Sequence, residues 1–108
     1  MTIESLLLHG EENAISTAEL VALTGASSAR TLQQQIERER ARGALILSAS
    51  DGGYFLPDYG EKGRRELAAF VKTLRSRAVH TLRTLKAANK ALQQMDGAQM
   101  TITENILM

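Results

Sequence analysis

The chain has no cysteine and no tryptophan, one proline in 108 residues, and only 4% aromatic residues. Without cysteine, disulfides and thiolate metal sites are excluded, and a reducing cytoplasm is the natural setting. Few aromatics, with alanine and leucine abundant, favour helix over a large sheet. Long apolar runs are missing too. The opening MTIESLLLHG carries Glu4 ahead of a short leucine run, so neither a signal peptide nor a membrane span is expected. The two histidines, His9 and His80, lie far apart, and neither has neighbours at metal-ligand spacing. No nucleophile–base pattern, phosphate-binding glycine loop or catalytic carboxylate pair stands out, so the expectation is a non-enzyme without metal or cofactor.

What is present is a lopsided charge. The formal net charge is only +1, yet residues 1–26 hold Glu4, Glu11, Glu12 and Glu19 with no Lys or Arg. Residues 27–48 hold Arg30, Arg38, Arg40 and Arg42 against Glu37 and Glu39, and residues 60–95 hold nine Lys or Arg against Glu61 and Glu66. An acidic front and a basic back suit a protein that meets a polyanion with one side. A solvated helix surface is the plainer explanation.

The local signals give an element order. Residues 3–9 read as a short first helix with Ile3, Leu6 and Leu7 on one face, closed by His9-Gly10, and residues 11–14 as a loop. Ser16 and Thr17, with Glu19 three residues after Ser16, form a helix start. Leu20, Val21 and Leu23 are expected on that helix's buried face, and Gly25 ends it. SARTLQQQIERERAR predicts the next helix, stopping at Gly43. ALILS and YFLP then read as two strands around the turn ASDGG. A long helix runs from Gly60 or Glu61 to Met95, and Asp96-Gly97 ends it. The fold class expected is mainly α with a small β-hairpin: a winged helix-turn-helix domain over 1–58, a long helix over 59–96, and a flexible tail over 97–108.

At about 100° per residue, Ala29, Leu32, Ile36 and Glu39 share one side of the second helix. Ser27, Arg30, Thr31, Gln34, Arg38 and Ala41 lie opposite, with Glu37 at the margin and Gln33 and Gln35 flanking. Arginine pairs with guanine, glutamine with adenine, and hydroxyls serve bases or phosphates. That face is a candidate for double-stranded DNA, or for ordinary solvent. On the long helix, Leu67, Val71, Leu74, Ala78, Thr81, Leu85, Ala88, Leu92 and Met95 alternate spacings of four and three, a heptad seam. It predicts a homodimer, with Leu67, Val71, Leu74, Ala78, Leu85 and Leu92 as its pairing residues.

Residues 17–57 resemble the winged helix-turn-helix family found at the front of the biotin protein ligase repressor and in small phage and bacterial regulators. Leu20, Leu23, Gly25, Leu32, Ile36, Gly43, Ile46 and Gly53-Tyr54-Phe55-Leu56-Pro57 carry the resemblance, which covers about 40 of the 108 residues. It implies that Ser27, Ser28, Arg30, Thr31, Gln34 and Arg38 face the major groove, with Ser50, Asp51 and Gly52 at the wing tip. The ligase domain is absent. The turn before Leu32 is one residue longer than the family's, Glu39 stands where leucine is common, and the wing has no Lys or Arg. Buried, Glu39 needs a partner such as an arginine. The role implied is a dimeric transcriptional regulator or mobile-element control protein. The alternative is a winged-helix module with a protein partner, such as a phage replication or assembly adaptor.

Overall fold

The structure, a computed structural model, describes residues 1–97. It is mainly helical with one small hairpin: α1 (Thr17–Thr24), α2 (Ala29–Ala41), β1 (Leu47–Ser48), β2 (Tyr54–Phe55) and α3 (Gly60–Asp96). The C-terminal tail expected after Gly97 lies outside the described residues.

Both short helices start at serines for the same reason. A helix's first amides have no partner within it, and a side-chain oxygen just ahead supplies one. Ser16 accepts from the Glu19 amide and Ser28 from the Thr31 amide. Gly25 closes α1 in the left-handed region, φ 69°, where its amide still reaches the Val21 carbonyl. A side chain there would be strained. The turn between α1 and α2 is therefore set by four residues, Gly25 to Ser28, bracketed by two caps.

The first segment departs from the expected helix. Only Glu4–Leu6 form a 3₁₀ turn, and Glu11–Asn13 form a second one in place of a loop. Between and after them the chain is extended along the outer edge of β2. Leu56 donates to the Leu8 carbonyl, Gly10 donates to Leu56, and Ile15 and Tyr54 exchange a pair of hydrogen bonds. A seven-residue helix has little stability alone. The open edge of β2 offers backbone partners that a two-stranded hairpin otherwise leaves to solvent. β1 occupies the other edge, antiparallel, with Leu47 opposite Phe55 and Ser48 opposite Tyr54.

The core has two parts. Ile3, Leu7, Leu20, Leu32, Ile36 and Ile46 form one cluster, and Leu47, Ala49 and Phe55 form the other. Leu23 does not join the core and is 57% exposed. In α1 the inward face is Thr17, Leu20, Val21 and Thr24, the i, i+3, i+4, i+7 stripe, which leaves Leu23 on the flank. Leu67 and Phe70 of α3 pack on Leu47, Ala49 and Phe55. The compact N-terminal unit accordingly runs Met1–Val71, and a second unit begins at Lys72. Gly97, at φ 59°, caps α3 by donating to the Gln93 carbonyl. Among the described residues no helix is long and apolar enough to cross a membrane.

Candidate nucleic-acid interface

The chemistry of α2 divides by face. Leu32 and Ile36 are buried, and Glu39 beside them is only 5% exposed. Its carboxylate accepts from the amides of Ile3 (2.8 Å) and Glu4 (2.9 Å) and from the Gln35 side chain (3.1 Å). An arginine partner is therefore not what satisfies it. The first amides of the N-terminal 3₁₀ turn, which would otherwise be unpaired, take that role. Burial alone raises the Glu39 pKa. The bonds from Glu4, Ile3 and Gln35, with the nearby charge of Arg42, outweigh it and hold the group below its ordinary value.

Arg40 is likewise turned to structural use. Its Nε donates to the Ile46 carbonyl (2.8 Å), one terminal nitrogen to Ser48 Oγ (3.1 Å), and the other to Glu37 (2.9 Å). The guanidinium carbon lies 5.0 Å from the Phe70 ring centre, within cation–π range. One side chain thus ties α2 to β1 and to the start of α3, and it neutralises Glu37. Neither acidic residue of α2 is left as an unpaired charge on the outer face.

That outer face carries Ser27, Ser28, Arg30, Thr31, Gln34 and Arg38, all exposed. The structure brings three of them together at the start of α2: the Thr31 hydroxyl lies 3.0 Å from Ser27 Oγ and 3.1 Å from Ser28 Oγ. Arg30, Gln34 and Arg38 follow one another along the helix at spacings of four. Among the described residues no hydrogen bond or ion pair engages these three side chains. They are polar groups without intramolecular partners, on a face that Glu39 and Arg40 do not share.

The hairpin turn is built differently. Ser50, Asp51 and Gly52 are exposed, but their polar atoms are committed inward. Ser50 donates its amide and hydroxyl to Glu11, Asp51 accepts from the Gly53 amide, and the Gly52 carbonyl accepts from the Thr17 hydroxyl. Glu11 and Asp51 make this tip acidic, so it repels phosphate. Sequence reasoning placed these residues at the tip but had no signal for the long-range tie to Glu11.

A second set of polar links, absent from the sequence reading, surrounds the start of α3. Glu66 accepts from the amides of Glu11 (2.9 Å) and Asp58 (2.8 Å). Lys62 bridges Glu12 and Asp58. That hydrogen-bonded contact raises the Lys62 pKa and lowers those of Glu12 and Asp58. His9 Nδ1 donates to the Pro57 carbonyl (2.8 Å), which leaves Nε2 to accept from the Tyr59 hydroxyl at 3.1 Å. These residues hold the N-terminal segment against α3. Among the described residues no group of three or more His, Asp or Glu is placed to hold a metal ion.

Compared with protein-family models, curated proteins and solved structures, the chain finds no match.

Proposed function

We propose that the chain is a non-catalytic, sequence-specific double-stranded DNA-binding protein of winged helix-turn-helix type, with α2 as its reading helix. It would act as a transcriptional regulator or mobile-element control protein in the cytoplasm. The observation that carries this reading is the outer face of α2. Arg30, Gln34 and Arg38 have no partners of their own, while both glutamates of the same helix are spoken for elsewhere. Unpaired arginine and glutamine side chains in a row are the groups that base edges accept. Three hydroxyls and the amides at the start of the helix suit a phosphate beside them. The acidic hairpin tip takes no phosphate in this reading.

The test is selection from a random duplex pool near physiological salt, followed by affinity measurement on the enriched sequence. A defined motif is expected, with affinity falling steeply as salt rises. Arg30→Ala is expected to weaken binding by about 1–3 kcal/mol and relax one position of the motif. Arg40→Ala is expected to lower stability but leave the motif unchanged, because Arg40 points into the fold. Undiminished affinity in Arg30→Ala would remove α2 from the interface.

The acidic tip also favours a second reading, a winged-helix module that docks on a protein. In that case the pool yields no motif, and duplex binding is weak and blind to sequence.

A further inference from the structure

From Lys72 to Asp96 every residue of α3 is exposed except Asn89 and Gln93, which are half-buried. Along this stretch the apolar residues keep a heptad order. Val71, Ala78, Leu85 and Leu92 fall at one core position, and Leu74, Thr81, Ala88 and Met95 at the other. Leu67 is no longer available to it, since it packs on Leu47, Ala49 and Phe55 within the chain. The seam therefore starts at Val71, and Leu82, 62% exposed, widens it on one side.

The charges beside the seam are one-sided. Between Glu66 and Asp96 there is no acidic residue, while Lys72, Arg75, Arg77, Arg83, Lys86 and Lys90 are all basic. At about 100° per residue, five of the six fall in an arc on the Leu82 side of the seam. The opposite flank carries Arg77, Thr84 and Ala91. In a parallel pair of helices, each flank meets the other flank of its partner, so the basic arc faces a flank with a single arginine. In an antiparallel pair like flanks meet, and the two basic arcs lie side by side. No carboxylate is present to relieve them.

We infer that residues 71–95 of α3 pair with those of a second copy, parallel and in register, and that the pair tightens when anions screen the basic flanks. Apolar contact along the seam favours association, and twelve uncompensated positive charges per pair oppose it. Salt weakens only the second effect over these distances. The assembly thus responds to salt in the opposite sense to DNA binding.

The chain has no cysteine of its own, so single cysteines report the geometry directly. Thr81→Cys and Met95→Cys lie about 21 Å apart along the helix. A parallel in-register pair is expected to form the symmetric disulfide rapidly in both variants. An antiparallel pair brings at most one of the two positions against its own copy, and that outcome overturns the proposal. Sedimentation equilibrium of the full chain, without DNA, is expected to show roughly tenfold tighter dimerisation at 500 mM than at 50 mM NaCl. Leu85→Asp is expected to abolish the dimer. A chain that stays monomeric at both salts overturns the proposal, even if α3 then binds duplex DNA or anionic vesicles. Because no nucleic acid is present, the result is independent of whether α2 reads DNA.

Discussion

Replacing Gly63 with alanine is expected to unfold much of the N-terminal unit, although alanine is the better helix former. A Cβ at this position falls 1.8 Å from the Asp58 carbonyl oxygen and 2.6 Å from its carbon. The obstacle is backbone, and it is held in place. The Asp58 amide donates to Glu66, its side chain accepts from Lys62, and the same carboxylate accepts from the Tyr59 amide. In an open helix interior, glycine to alanine gains about 0.5–1 kcal/mol. Here overpacking reverses the sign, with a loss of about 3 kcal/mol or more. For a unit this size that lowers the melting temperature by on the order of 10–20 °C. Thermal unfolding followed by circular dichroism measures it directly. A melting temperature equal to or above the native one would show that α3 and the Asp58 turn do not approach so closely.

Glu39→Ala is the second substitution with a large expected effect. It strands the amides of Ile3 and Glu4, and Ile3 is fully buried. An unpaired buried donor costs about 1–3 kcal/mol, more when its partner was charged, so a combined loss of roughly 3–5 kcal/mol is expected. Glu39→Gln keeps the shape and one acceptor oxygen, and its loss should be intermediate. Acid supplies an independent check. The native carboxyl is held below its ordinary value, so its contribution is complete above the unfolded group's pKa. That contribution disappears as pH falls through the lowered native value. Urea unfolding across acidic pH should therefore show the gap between native protein and Glu39→Gln closing as pH drops. A gap independent of pH would mean that the carboxylate charge plays no part.

These two residues also mark where reading the sequence stops. Helix ends were legible because their causes are local. Ser16, Gly25 and Ser28 act on atoms three or four residues away, and the structure puts a cap at each. The buried side of α2 was legible for the same reason, down to Glu39 among the leucines. Its partners were not, because the amides of Ile3 and Glu4 lie 36 and 35 residues away. Periodicity also misled in two places. Ile3, Leu6 and Leu7 have helical spacing, but the edge of β2 takes the following backbone instead. Leu67 has seam spacing, but packs within its own chain. A periodic pattern shows that a face is apolar without showing what covers it. Of the candidate site, the exposure of Arg30, Gln34 and Arg38 followed from the helical wheel. The removal of Arg40 from that face did not, since it depends on the Ile46 carbonyl and Phe70.

The carboxylates of Glu39 and Glu66 have one more consequence, and it concerns synthesis. The first fifteen residues leave the ribosome before everything that holds them. Glu11 waits for Glu66, 55 residues later, which takes about 3–11 s at ordinary translation rates. Throughout that interval Ile3, Leu6 and Leu7 remain uncovered on the nascent chain, where chaperones can reach them. The segment made first is thus the last to find its place.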